Sequence, residues 1–449
     1  MLDMDLIRKN PALVKKGLQS RGYNADIDGL SGKDSEWKSL KEQADALRHR
    51  RNVLSAEIKE LILKKADAAQ KIAEVKIIPE QIKSLEVQAD ALKGQIDAIT
   101  KTLPNLPDAS VPKGAGPEDN KVVKQHGKIP KLKFKPKDHV ELGKELDILD
   151  LERSAKLAGA GFYVFKGLGA TLERALINFM LDFHTKDGWT EVFPPELVNE
   201  KTMFGTGQLP KFENDLFKTR EGFYLIPTAE VPLTNLHAAE VLNPKGLPKR
   251  YCAYTPCFRT EAGKHGEATR GIFRLHQFDK VEMVVICKQE DSPKELEAMR
   301  ARAEKLLELL EVPYRTILLC TGDMGFASAK TYDIECYAAA MSRYLETSSC
   351  SDCKDFQARR MNTKYFTPEG TKFVHTLNGS GLALPRLMIA LLENNQQPDG
   401  SIKIPKVLVP YMRGIKEIRK ALPIPEKDKG KKPKARKQKK KAKPKKKHN

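Results

Sequence analysis

No apolar run in these 449 residues approaches the roughly 20 residues of a membrane-spanning helix, and the start, MLDMDLIRKNP, has no hydrophobic signal core. A membrane-embedded role and a signal-directed secreted one are therefore not expected. Cysteine is sparse and odd in number, at positions 252, 257, 287, 320, 336, 350 and 353. That pattern favours free thiols in a reducing compartment over a disulfide framework, and a soluble, cytoplasmic protein is expected. Cys350-Ser-Asp-Cys353 lacks both the βαβ surroundings of a thiol–disulfide site and a second C-x-x-C to complete a metal set, so no zinc is expected. Gly379-Ser-Gly381 falls short of the P-loop and dinucleotide patterns, and is read as letting the backbone come close to a small ligand.

What is present begins with charge. The formal net charge is +20, but residues 426–449 hold fourteen Lys or Arg and two acidic residues, a net +12, leaving +8 for residues 1–425. The body is mildly basic and the tail strongly so. That tail cannot bury enough apolar surface to offset its ordering entropy, and is read as disordered.

Trp37, Leu40, Ala44, Leu47, Arg51, Leu54, Ile58 and Leu61 alternate in steps of three and four, and Ile82, Leu85, Ala89, Leu92, Ile96, Ile99 and Leu103 do the same. Two matched helices predict an antiparallel hairpin, with Pro79 opening the second helix and residues 66–75 forming the tip. Arg48, Arg50, Arg51, Lys64, Lys65 and Lys71 gather on the outgoing helix and towards the tip, where they suit either solvent or a ridge of phosphates. Residues 1–107 form this unit, and the aperiodic, proline- and glycine-containing stretch 108–138 is read as a linker.

Residues 139–425 are expected to form one large domain. Leu168 to Asp187 reads as a helix and GWTEVFPP as a turn into a strand. Phe223–Pro227, Tyr251–Glu261, Gly271–Cys287, Thr331–Tyr337 and Tyr344–Ser349 read as strands, and Gly381–Asn394 as a closing helix. Strands in blocks with helices on either side predict an α+β fold, a largely antiparallel sheet backed by helices. Within Gly271–Cys287, Phe273, Leu275, Val281 and Met283 share one parity, while Arg274, His276, Phe278, Lys280 and Glu282 share the other. The second set mixes cations, a carboxylate and an aromatic ring, which suits a nucleotide lying on the sheet. Arg259 and Arg386 are candidate phosphate ligands, because a planar guanidinium can hold two phosphate oxygens at once.

The order of motifs, helical arm, GWTEVFPP, TAE, CFRTEAG, RLHQFDKVE, ETSSCSDCKDFQARR and LNGSGLALPR, resembles the class II seryl-tRNA synthetases over nearly all of residues 1–415. That resemblance implies an enzyme that activates L-serine with ATP and transfers it to tRNA(Ser), and to tRNA(Sec) where that tRNA is present. It implies that Arg259 and Arg386 are catalytic, gripping the α- and γ-phosphates. ATP would also be bordered by Thr260, Glu261, Leu275, Phe278, Glu346, Thr347, Ser348 and Ser349. Mg²⁺ would be held by Glu346 and Ser349. Those two have opposite parity in an ideal strand, so a bulge or a backbone ligand is required. Serine would be held by Thr228, Ala229, Glu230, Arg259, Glu282 and Ser380.

The arm cations named above, with Lys264 and Arg270 of the loop after CFRTEAG, would meet tRNA, and the 172–195 region would form a homodimer. Gly161 stands where the family often has arginine, and Tyr337-Ala-Ala replaces Trp-Leu-Pro. Two rivals remain at this point: a tRNA-binding paralogue without catalysis, and a relative that loads amino acids onto carrier proteins.

Overall fold

The computed structural model describes residues 1–262 and 270–420. Its N-terminal unit is dominated by helices Ile27–Leu63 and Ala69–Thr102, each on the order of 50 Å long at about 1.5 Å per residue, packed along their length. The alternating seam is the reason: Ala44, Leu54, Ile82, Ala89 and Ile96 are buried while the flanking charged residues are not. Two expectations are corrected here. The second helix starts ten residues before Pro79, which lies inside it, and Arg51 is exposed. Proline forfeits only its own hydrogen bond to the preceding turn, and Val75, Ile78 and Ile82 still pack on Leu47 and Leu54 across the seam.

Among the described residues the body is built on an eight-stranded sheet, numbered here in chain order: β1 (Lys121–His126), β2 (Thr190–Glu191), β3 (Lys249–Phe258), β4 (Gln277–Cys287), β5 (Tyr314–Leu318), β6 (Lys330–Ala338), β7 (Arg343–Asp352) and β8 (His375–Ala383). The spatial order is β1-β5-β6-β7-β8-β4-β3-β2, antiparallel throughout except for the β2–β3 pair. Val281, Met283, Val285 and Cys287 of β4 face a core shared with helices Leu168–Lys186, Ser292–Leu309 and Leu384–Asn394. Val284 and Ile286 face a second cluster with Ala229, Leu233 and Val374. The sheet is thus covered on both sides along its middle, and Phe278, Lys280 and Glu282 occupy the gap in the second cover.

The stretch read as a linker contains β1, which pairs with β5 at the outer edge of the sheet. Its side chains are almost all exposed, so it carries no alternation for sequence reading to find, and backbone pairing alone defines it. The strand expected from Gly271 begins only at Gln277. The N-terminal unit is fastened to the body by Arg21, whose guanidinium donates to the carbonyls of Asn105 (2.6 Å), Met324 (2.8 Å) and Gly325 (2.7 Å). Asn105 in turn donates to the carbonyls of Ala327 and Cys353, both at 2.9 Å. No described helix is long and apolar enough to cross a membrane.

Candidate active site

A cavity of about 400 Å³ opens over β4, walled by the segment that follows β3, by the middle of β7, by β8 and by the start of helix Leu384–Asn394. Its floor follows from the parity of β4, because Phe278, Lys280 and Glu282 all point into it. At one end the Lys280 ammonium bridges the Thr228 hydroxyl (2.8 Å) and the Glu282 carboxylate (2.5 Å). Asn378 donates to Glu282 from the neighbouring strand at 3.2 Å, and Ser380 stands opposite Glu282 in the β8–β4 register. Glu230 accepts from Gln357 at 2.7 Å. Burial, with Glu282 as an acidic neighbour, pushes the Glu230 carboxyl up to about 7, against the pull of the Gln357 hydrogen bond, Lys280 and Arg259. With Glu230 ionised, two carboxylates and one ammonium leave this corner with one uncompensated negative charge.

Arg259 follows the last residue of β3. Its backbone N–H donates to the His276 carbonyl (2.8 Å), His276 Nδ1 lies 3.1 Å from the Arg259 carbonyl, and its guanidinium lies 5.1 Å from the centre of the Phe278 ring. A cation and an aromatic face are thereby presented together. At Gly161 a β-carbon would come within 2.5 Å of His276, so glycine at that position lets the imidazole reach Arg259. Arg386 donates to the Glu346 carbonyl (2.9 Å) and pairs with the Glu346 carboxylate (3.2 Å).

The parity conflict between Glu346 and Ser349 is resolved by a register shift between Glu346 and Ser348, an extra residue in β7 that brings Glu346, Thr347 and Ser349 to the cavity. Ser349 sits opposite Asp333 in β6. Burial and the nearby Glu346 raise the Asp333 carboxyl well above its usual range, and its Oδ1 has no hydrogen-bond partner.

Several expected ligands lie elsewhere. Ser348 turns away from the cavity, because the same bulge that admits its neighbours sends its hydroxyl to the Ser380 carbonyl at 2.6 Å. Ala229 is buried in the second core cluster. Thr260 donates to the Asn214 carbonyl at 2.8 Å, outside the cavity lining. Glu261 does line it, with a left-handed backbone (φ 51°) and an ion pair to Arg274 at 3.1 Å, whereas Phe273 and Leu275 line it from the segment before β4. Gly379 and Gly381 serve packing rather than ligand approach. A β-carbon at Gly379 would strike Met299 and Cys350 at 2.7 and 2.8 Å, and one at Gly381 would strike His184 at 2.6 Å.

Gln357, Asn378 and Asp333 are additions made by the structure. Lys280 shared the ligand parity, and Gln357 and Asn378 fall in quoted motifs, but only the fold brings them together. Arg270 pairs with Asp138 at 2.8 Å, while Lys264 lies outside the described residues. Four arm cations are engaged locally: Arg48 with Asp45 and Glu86, Arg50 with Glu74, Lys64 with Glu60, and Lys71 with Glu57. Arg51 and Lys65 are exposed.

Comparison with known proteins agrees at both levels. A family model for the seryl-tRNA synthetase N-terminal domain matches residues 1–107, and one for the class II tRNA synthetase core domain (G, H, P, S and T) matches residues 211–395. A serine–tRNA ligase of Methanosarcina barkeri is 49% identical over 93% of this chain and 99% of its own length. The crystal structure of a Pyrococcus horikoshii seryl-tRNA synthetase complexed with ATP superposes with a TM-score of 0.90 at 38% identity, covering 94% of this chain and all of that one. The cytoplasmic serine–tRNA ligase of Naegleria fowleri, solved with AMP, gives 0.85 at 28% identity over 93% of this chain and 99% of its own. With motifs, arm and cavity all in agreement, the chain belongs to the seryl-tRNA synthetase family.

Proposed function

We infer that the cavity over β4 is where this ATP-dependent serine–tRNA ligase joins its two small substrates, and that its two ends divide the work. The carrying observation is the Thr228–Lys280–Glu282–Glu230 corner, one positive charge short of neutrality when both carboxylates are ionised, next to Arg259. The serine ammonium supplies the missing charge and sits between Glu230 and Glu282. Its hydroxyl takes up hydrogen bonds at Ser380 and Glu282, and alanine is rejected because it would leave those polar groups unpaired. Its carboxylate meets Arg259.

In the first step a carboxylate oxygen of serine attacks the α-phosphorus of ATP in line, a new P–O bond forms, and the bond to the β,γ-unit breaks to release pyrophosphate. Arg259 holds the α-phosphate throughout, Phe278 stacks on adenine, and Arg386 holds the γ-phosphate. In the second step the 3′-terminal hydroxyl of tRNA attacks the acyl carbon, AMP leaves with the bonding electrons, and the hydroxyl proton is lost. No side-chain nucleophile is needed, so positioning and electrostatics supply the acceleration.

Glu346 and Ser349 fit Mg²⁺, which prefers oxygen ligands and takes its remaining positions from phosphate and water. The unpartnered Oδ1 of buried Asp333, behind Ser349, supports that reading, since a nearby cation would favour its ionised form. When bound, the ion would neutralise phosphate charge.

The arm reads the long variable arm of tRNA(Ser) by shape and phosphate contact, with Arg51 and Lys65 as free cations and the paired ones as a reserve. A homodimer forms through helix Leu168–Lys186 and the segment after β2, where Phe193 is 89% exposed beside a cavity of about 500 Å³. The test of the reading is pyrophosphate exchange into ATP with serine, alanine, threonine and glycine. Serine alone should support it, and exchange without serine dependence would overturn the assignment.

A further inference from the structure

Outside the cavity, one buried polar pair joins four separate parts of the body. His139, at the start of helix His139–Glu145, and Glu393, near the end of helix Leu384–Asn394, are 2% and 0% exposed. His139 Nδ1 lies 3.1 Å from Glu393 Oε1, and the backbone N–H of His139 donates to the same oxygen at 3.2 Å. The other carboxylate oxygen accepts from the backbone N–H groups of Ala340 (3.0 Å) and Met341 (3.1 Å). On the far side of the imidazole, Nε2 receives a long hydrogen bond, 3.4 Å, from the N–H of Ile272. In this arrangement Nδ1 donates to the carboxylate and Nε2 offers its lone pair to the Ile272 N–H. The fit is close: a β-carbon on Gly271 would run into Nε2, and Gly271 holds φ +75°.

Both sides of this pair lead to Arg386. Ile272 precedes Phe273, whose ring centre is approached by two guanidinium groups, that of Arg386 at 5.0 Å and that of Arg343 at 4.6 Å. Glu393 lies seven residues after Arg386 on one helix, about two turns along the same face. One connection fixes the aromatic platform under the guanidinium and the other fixes the helix from which it extends.

We propose that His139 and Glu393 form a clamp that positions Arg386 for the terminal phosphates of ATP, with His139 as a positioning residue that touches no substrate. The proposal rests on the assignment of Arg386 to the γ-phosphate. His139→Asn keeps a donor near Nδ1 for Glu393 but cannot reach Ile272. His139→Gln carries an acceptor further out, near the place of Nε2.

The measurement is equilibrium binding of ATP and of AMP, which lacks the phosphates that Arg386 serves. His139→Asn should weaken ATP by about five- to tenfold and leave AMP within about twofold, as expected for loss of one positioned ionic contact. His139→Gln should hold ATP more tightly than His139→Ala. In an Arg386→Ala background His139→Asn should add nothing, because both changes act through one guanidinium. Equal weakening of ATP and AMP, no weakening of ATP, or full additivity with Arg386→Ala would each overturn the clamp. Arg386→Ala alone tests the underlying assignment separately: it must weaken ATP and spare AMP.

Discussion

Glu230 and Glu282 share one corner with a single lysine, and if serine is seated there as proposed, the charge should set how its binding responds to pH. With the Glu230 carboxyl near 7, the corner carries a net negative charge above that pH and none below it. An ammonium substrate binds the first state, so kcat/KM for serine should fall as pH drops through about 7, approaching tenfold per unit, because that parameter reports the free enzyme. Glu230→Gln should be slower and flat across that range; a variant that kept the wild-type slope would move the titration to another group.

Lys280→Met removes the cation that lets the two carboxylates coexist. It should raise KM for serine by about tenfold or more while leaving KM for ATP nearly unchanged, since an unpaired buried charge costs several kcal/mol; equal changes in both would make Lys280 a structural residue. The sequence disclosed part of this corner. Parity put Lys280 and Glu282 on the ligand face, but the Gln357 and Asn378 contacts join residues 127 and 96 positions apart, and no local pattern carries such a pairing.

At the scale of elements, a helix seam announces itself over many residues, whereas an edge strand and a bulge do not. The hairpin was legible from its three-and-four spacing, although proline misplaced its second start because one missing hydrogen bond is a small loss in a 34-residue helix. β1 was invisible because both its faces meet solvent. The bulge in β7 was foreseeable only as a contradiction: Glu346 and Ser349 could not both face a ligand without one.

The arm predicts a separation of functions. Replacing Ser55–Gln88 with a short glycine-serine turn should leave serine-dependent pyrophosphate exchange within about twofold and reduce tRNA charging by at least a hundredfold, because the removed helices contribute nothing to the cavity. Loss of exchange to the same degree would tie the arm to the chemistry.

For the whole molecule, the proposed dimer can be checked by sedimentation. Phe193→Asp should shift the protein towards monomer, as a charge placed in an apolar contact must be desolvated to associate; an unchanged dimer would put the interface elsewhere. The lysine-rich tail lies outside the described residues. Its removal after Pro425 should preserve exchange and flatten the salt dependence of nonspecific RNA binding.

The junction between the N-terminal unit and the body has a further consequence. Arg21 is held by backbone carbonyls rather than by carboxylates, and burial lowers its pKa only to about 10, so it remains charged at neutral pH. Dissolved salt competes poorly for a buried guanidinium, so the joint should keep its angle over a wide range of ionic strength. The span from arm tip to cavity would then behave as a fixed gauge rather than a spring: an RNA would be accepted when its own dimensions bridge that span, and mismeasured molecules would be refused before the transfer step.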